Sequence, residues 1–231
     1  MSAQGADGLF ALGLSPADYR LPHPKIELPV ILIVRRVLIE AFALLRQRVQ
    51  QSSARPLADF KEDELTLALL SIVENDFRQK GRVPGFNRTL FDEVTRQREI
   101  ENYNFQKPQK KPDLLFKLRS DEEPVTVVST QHALFVECKP VDAAHPAGSD
   151  YCDRGLLRFV EGDYAWAMQD ALMIGYVRDG RTISTHLNPA IISRPLLQIV
   201  SAPTRHPHSQ ASADTATEGL HVSVHRRAFP W

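Results

Sequence analysis

One stretch of this chain constrains its fold more than any other: ALFVECKPV, residues 133–141. Strand side chains alternate between two faces, and here both faces stay apolar until the run reaches Glu137. A strand of that kind needs cover on both sides, so it belongs inside a sheet with helices packed over it. The neighbouring segments fit that demand. KPQKKPDLLFKLRS, residues 107–120, opens with two prolines and then alternates. Leu114, Phe116 and Leu118 point one way, and Asp113, Leu115, Lys117 and Arg119 the other. VTVVS at 125–129 is β-prone and predicts a hairpin extension, and MIGYV at 173–177 predicts a strand closed by the RDG turn at 178–180. Two further strands are expected at about 195–202 and 219–226, joined by a loop of small residues.

Helices are expected on either side of these strands. The most apolar stretch, LPVILIVRRVLIEAFALL at 28–45, contains Arg35, Arg36 and Glu40, each costly near a bilayer centre. It therefore predicts a buried helix of a soluble protein over about 29–50, with Pro29 in its first turn. KEDELTLALLSIVENDFRQK predicts a helix over 60–79, whose acidic start and basic end (Arg78, Lys80) suit the helix dipole. GRVPG at 81–85 stops it, and a third, mostly polar helix is expected over 88–101. Helices over 150–159 and 163–173, split near Gly162, and a short one over 181–187 complete the reading. With no internal repeat, the chain reads as an α/β (α+β) fold: a central mixed sheet flanked by helices. Residues 1–55 form an N-terminal arm and helical extension, and residues 56–231 the main domain.

Composition limits function less than it first suggests. The 231 residues carry 28 basic and 28 acidic side chains, which excludes a polycation, and 43% hydrophobic residues are ordinary for a globular protein. The charge is unevenly spread, however. Residues 78–119 hold 11 basic and 5 acidic side chains, a net +6, and residues 120–170 hold 3 and 10, a net −7. Two cysteines, Cys138 and Cys152, predict reduced thiols in a cytoplasmic protein, and the N-terminus does not read as a signal peptide.

The residues with chemistry to offer lie on the central strand. Period-two geometry puts Glu137 and Lys139 on one face, and a carboxylate and an ammonium there are costly unless paired or metal-bound. Asp113 follows Pro112 at the mouth of another strand. If the two strands are neighbours, two carboxylates and a lysine converge, and a hard divalent cation relieves the repulsion. Such a cation polarises a phosphoryl oxygen and acidifies bound water, while a lysine can orient that water. An acidic residue two before a lysine is common, and Asp59-Phe60-Lys61 shows the same pattern without the apolar strand. On the helix at 60–79, Glu62 leads the inward stripe of Leu65, Leu69 and Ile72, whereas Glu64 lies round from it. Both could equally be solvated first-turn acids.

Pro112-Asp113, a spacer, then Glu137-x-Lys139 resembles the PD-(D/E)xK nuclease superfamily, with its restriction-endonuclease-like fold. EDELT at 62–66 is similar to the helix that donates an extra acidic residue there. YCDRGLLRFVEGDYAWAMQDALMIGYVRDG at 151–180 is similar to a stretch of uncharacterised bacterial members. The resemblance covers about residues 60–180, and the 24-residue step from Asp113 to Glu137 is longer than the pattern usually allows. It implies Asp113, Glu137, Glu62 and the Cys138 backbone carbonyl as ligands of Mg²⁺ or Mn²⁺, and Lys139 as the catalytic lysine. Arg158 is a candidate for phosphate contact, with pairing to Glu161 or Asp163 as its equal alternative.

The resulting expectation is a metal-dependent endonuclease hydrolysing DNA, with RNA as the alternative substrate, in an antiviral defence or DNA-processing system. A helicase, an ATPase or a second copy of the chain would be its partner, and no membrane is involved. The alternative is an inactive nuclease-fold module that binds nucleic acid or a partner protein. Other candidates are weaker. His206, His208, His221 and His225 have metal-compatible spacings but no accompanying ligand pattern, Cys138 reads as a core thiol, and Tyr164 and Gln169 as minor polar groups. No glycine-rich phosphate loop is present in the sequence.

Overall fold

Strand β3 (Ala133–Val141) is buried along its whole length, as its sequence requires. It belongs to a four-stranded mixed sheet of order β1-β2-β3-β4, formed with β1 (Phe91–Thr95), β2 (Leu114–Leu118) and β4 (Leu172–Val177). This computed structural model describes residues 23–52, 55–104, 110–119, 130–207 and 220–229. The arm at 1–22, the VTVVS segment at 125–129 and the loop at 208–219 lie outside the described residues. Two compact units divide the chain, and the division falls within β3, between Glu137 and Cys138. The first comprises 1–137 and 163–172, and the second 138–162 and 173–230.

In the first unit, α1 (Leu28–Ser52) buries Val34, Val37, Leu38, Ala41 and Leu45, the stripe expected of a 3.6-residue period. It packs on α2 (Glu62–Ile72), which continues as a wider π-helical turn through Val73–Arg78. Asp76 in that turn receives Arg48 of α1 at 2.7 Å and Lys80 at 2.8 Å. Hydrogen bonds from Lys80 and Arg48 hold the Asp76 carboxyl below its ordinary range. Arg35 is half-buried, and burial lowers its guanidinium from the usual value. Gly85, at φ +83°, closes the turn against α1, where an added Cβ would lie 2.6 Å from Ile33 Cδ1. Among the described residues, no helix is long and apolar enough to cross a membrane.

The expected helix over 88–101 is instead β1, which pairs antiparallel with β2. Phe91 and Val94, three apart, suggest a helix, yet both are buried in this strand because the register shifts between Phe91 and Glu93. A bulge adds one residue and so lets an i,i+3 pair share a strand face. The gain is an aromatic cluster: the Phe86, Phe91 and Phe116 rings lie 5.3 to 6.2 Å apart. Asn87 opens the strand, its side-chain oxygen accepting from the N–H groups of Thr89 and Leu90.

The expected helix over 163–173 is absent as well. Tyr164, Ala165, Trp166, Ala167 and Met168 are consecutive and all buried, whereas a helix at a surface buries only one stripe. Their polar groups are satisfied one at a time. The Trp166 indole donates to the Glu101 carbonyl at 2.9 Å, and the Ala167 carbonyl accepts from His23 N–H at 2.6 Å. Asp170 accepts from Ile26 N–H at 2.8 Å. Gly162, at φ +74°, ends the preceding helix, its N–H donating to the Arg158 carbonyl.

The second unit has its own core of Val141, Ala147, Tyr151, Cys152, Val160, Ile191 and Leu197. The helix expected at 150–159 starts earlier, as a π-helical segment (Ala147–Leu156) that leads into α3 (Leu157–Glu161). The one expected at 181–187 is a π-helical turn (Ile183–Leu187) that leads into α4 (Asn188–Ile192). A short 3₁₀ turn (Pro195–Leu197) occupies the start of the expected strand at 195–202. The strand itself is β5 (Ile199–Arg205), paired antiparallel with β6 (His221–His225) as a separate two-stranded sheet.

Candidate functional site

The site is read from the register of β2 on β3. Leu114 lies across from Val136, Leu115 from Phe135 and Phe116 from Leu134. Asp113 and Glu137 are the next residues beyond the last of these pairs, Leu114 with Val136. Asp113 sits at the bend just before β2 and is half-buried, and Glu137 is fully buried. The long spacer between them is thus compatible with adjacent strands.

Glu137 also has a partner that its own strand does not supply. The Tyr164 hydroxyl donates to Glu137 Oε2. Both residues are fully buried, and the tyrosine ring stacks on Phe135 at 6.3 Å with an interplanar angle of 8°. Phe135 and Glu137 are two apart, so they present to the same face. In sequence Tyr164 carried no pattern beyond its place in a run of aromatic and small residues. Its role depends on the irregular path of 163–171, which no periodicity foretells.

In the second unit, Lys139 is buried and its ammonium donates to the Cys138 carbonyl at 2.8 Å. Gly155 leaves room for the lysine stem, since a Cβ there would lie 3.3 Å from Lys139 Cγ and 2.8 Å from Met173 Cε. Both cysteine thiols are buried, and burial pushes the Cys152 thiol up to about 11. Arg158 lies half-buried on α3. Of its two anticipated carboxylate partners, Asp163 receives Lys110 at 2.5 Å.

Glu62 heads α2, half-buried, its carbonyl accepting from the Thr66 hydroxyl at 2.9 Å. Glu64 is committed elsewhere. It accepts Lys61 N–H at 2.7 Å in a capping box and pairs with Arg55 at 2.5 Å, and these bonds hold its carboxyl below the ordinary range. Among the described residues, no group of three or more His, Cys, Asp or Glu side chains is arranged to hold a metal ion. Asp113, Glu137 and Glu62 are thus not gathered into such a group.

Carboxylate and carbonyl oxygens are the donor type that a hard cation such as Mg²⁺ takes. Such an ion is commonly held by one or two carboxylates and keeps several waters, so a three-carboxylate cage is not required. In the first unit Asp113 and Glu137 are oxygen donors; in the second the Cys138 carbonyl accepts from the Lys139 ammonium. The histidines fit less well. His225 Nδ1 lies 2.8 Å from the Leu197 carbonyl and Nε2 2.8 Å from Ser223 Oγ, so both ring nitrogens are engaged. His208 lies outside the described residues.

Many of the charges in these two stretches are paired among the described residues. Arg78 pairs with Glu74 at 2.9 Å, Arg96 with Asp63 at 2.5 Å and Lys111 with Glu99 at 3.1 Å, and Arg98 pairs with Glu93. In the acidic stretch, Asp150 receives Arg154 at 2.9 Å and Asp153 receives Arg194 at 2.8 Å. Arg82 and Arg88 remain exposed. Comparison of the chain with protein-family models, curated proteins and solved structures finds no match in any of the three.

Proposed function

We propose that this chain is a Mg²⁺- or Mn²⁺-dependent phosphodiesterase of the PD-(D/E)xK kind, acting as an endonuclease on DNA in a defence or DNA-processing setting. The observation that supports the reading is the β2/β3 register, whose last pair, Leu114 with Val136, leaves Asp113 and Glu137 as the next residues on adjacent strands. Lys139 follows two residues along the same strand. Asp113, Glu137 and the Cys138 carbonyl would hold the cation, which when bound supplies charge neutralisation on a phosphoryl oxygen and a more acidic water. Lys139 would orient the attacking water and offset negative charge as the phosphodiester is attacked. Glu62 is the candidate for holding a further water, and Arg158 for a phosphate contact.

The test is plasmid nicking by the purified full chain with Mg²⁺ or Mn²⁺, compared with Lys139→Ala. The reading expects nicking by wild type and loss of at least about a hundredfold in the variant, the usual order for removing an acid–base group. Equal cleavage by both proteins sinks it. An RNA substrate run in parallel decides the class of nucleic acid.

A second reading, a binding module for a partner protein, draws on one observation in the second unit. Val200, Val222 and Val224 on β5 and β6 are exposed, as are Ile192 and Leu196. Exposed apolar residues of this size mark interaction surfaces when they are contiguous. Binding without any metal-dependent cleavage would favour this reading, and the partner would then be a helicase, an ATPase or a second copy of the chain.

A further inference from the structure

We propose that a cavity in the first unit, at the end of β2 away from Asp113, binds a phosphate monoester, either a free phosphorylated metabolite or the terminal phosphate of a nucleic acid. The cavity measures about 170 Å³. Lys25, Glu27 and Val30 line it from the chain entering α1, and Leu118, Arg119 and His132 from the end of β2 and the approach to β3. All six belong to the first unit. Asp113 precedes β2 and Arg119 follows it, so the two lie about 20 Å apart along the extended chain. The cavity is therefore separate from the candidate metal site, and binding there needs no metal.

Both walls of the cavity are fixed by bonds from outside it. On the α1 side, His23 N–H donates to the Ala167 carbonyl at 2.6 Å, and the Gln169 amide donates to the His23 carbonyl at 2.9 Å. Ile26 N–H donates to the Asp170 carboxylate at 2.8 Å. On the sheet side, Leu118 N–H donates to the His132 carbonyl and Arg119 N–H to the Leu90 carbonyl, each at 3.0 Å. The His132 ring stacks on that of His23, with centroids 4.9 Å apart and an interplanar angle of 21°. The Arg119 guanidinium donates to the Arg88 carbonyl at 3.3 Å, a bond that orients it and leaves its charge in place. The lining groups are thus held where they stand before any ligand arrives, which lowers the entropic cost of binding one.

The chemistry of the lining selects the ligand. Lys25 and Arg119 bring two positive charges from separate segments, and Glu27 is the one carboxylate among the lining residues. A phosphate monoester carries a charge of about −1.5 to −2 near neutral pH on three acceptor oxygens. That charge matches the two cations, and a guanidinium fork beside an ammonium is the usual pairing for phosphate. A monocarboxylate brings half the charge and one oxygen fewer. Ile26, Val30, Leu90 and Leu118 supply apolar surface around the charged groups, which lowers the local dielectric and strengthens the attraction. The volume is below the roughly 300 Å³ of pockets that enclose a drug-sized ligand. It admits the phosphate group, and the rest of the molecule extends outward past the exposed Lys25 and Arg119.

The experiment is an NMR titration of the ¹⁵N-labelled full chain, without added metal, with inorganic phosphate and with acetate. Phosphate should shift the amide signals of Lys25, Ile26, Arg119 and His132 to saturation, and acetate should bind at least about tenfold more weakly. Arg119→Ala should weaken phosphate binding by about tenfold or more, the usual effect of removing a charged partner. Glu27→Gln should tighten it by about two- to fivefold, because the only opposing charge of the lining is gone. Both positions are exposed, so neither change threatens the fold. No saturable shift at these four amides overturns the proposal. So does acetate binding as tightly as phosphate, or an affinity that neither substitution moves. Parallel titrations with a nucleoside 5′-monophosphate, and with a short oligonucleotide carrying or lacking a 5′ phosphate, identify the source. Tightest binding by the phosphorylated oligonucleotide assigns a nucleic-acid end, and equal or tighter binding by the mononucleotide assigns a free metabolite. If the 5′ phosphate changes neither the oligonucleotide's affinity nor that of the nucleoside, the phosphate monoester assignment falls. The phosphodiesterase reading is untouched by that failure, since plasmid nicking tests it separately.

Discussion

Gly148 offers a test in which two opposing effects can be separated. It lies near the start of the π-helical segment Ala147–Leu156, where alanine would ordinarily stabilise by about 0.5 kcal/mol by restricting the unfolded chain. A Cβ at this position, however, would lie 2.0 Å from Arg194 Nη2 and 2.5 Å from Cζ. Normal contact begins near 3.4 Å, so the guanidinium would have to retreat by about 1.4 Å. Arg194 donates to Asp153 at 2.8 Å and to the Ala190 carbonyl at 3.2 Å, and a shift of that size breaks both. The partly exposed ion pair contributes about 0.5 kcal/mol and the bond to the carbonyl about 1 kcal/mol. Gly148→Ala should therefore destabilise by about 1 kcal/mol net. In an Arg194→Ala background the obstacle is gone, and the same substitution should stabilise by about 0.5 kcal/mol. The sign inverts, giving a coupling of about 1.5 kcal/mol between the two positions. Urea denaturation of the four proteins, followed by circular dichroism, measures it. A loss of equal size in both backgrounds would refute the packing argument, as would a gain in the wild-type background.

Two further expectations concern the bulged strand and the loop after β3. Phe91→Ala should cost about 3–5 kcal/mol because its ring is fully buried among aromatics, while Leu90→Ala, at a position 36% exposed, should stay within about 0.5 kcal/mol; comparable losses in urea midpoints would contradict the strand register. At Asp142, burial alone would raise the carboxyl, but hydrogen bonds from the His145 ring and backbone and from Ala144 outweigh it and leave it below the ordinary range. A depressed folded value stabilises above the unfolded value of about 3.9 and is lost as pH falls through the folded one. Asp142→Asn should thus be less stable than wild type near about pH 7, with the difference shrinking as pH falls through the depressed folded value, and parallel stability curves through the acid range would remove Asp142 from the acid response.

Some of the candidate site was legible in the sequence. Residues 133–141 could only be a buried strand, and they are buried throughout. Asp113 was readable as a strand-end acid because Pro112 and the alternation of 114–118 mark where β2 begins. The choice between Glu62 and Glu64 could be argued from helical spacing, and the structure adds that Glu64 is taken by the cap of α2. The helix expected at 88–101 failed because Phe91 and Val94 have a spacing that both a helix and a bulged strand can satisfy. Only the Phe86 and Phe116 rings decide between them. The segment at 163–171 failed for a different reason. Its backbone groups are satisfied by residues far away in the chain, so no local pattern could announce its path.

What the sequence determined by itself was therefore local: the buried central strand, the apolar stripe of α1, the stop at Gly162 and the Glu137-x-Lys139 spacing. Each follows from periodicity, propensity or a backbone angle that neighbouring residues set. Tertiary structure decided what lies across a strand and what bonds from a distance. It laid β2 beside β3, brought the Tyr164 hydroxyl to Glu137 Oε2 and set Arg96 against Asp63 and Lys110 against Asp163. These are contacts between residues tens of positions apart. Their energies depend on register and burial, which emerge only when the apolar faces of separate elements pack together.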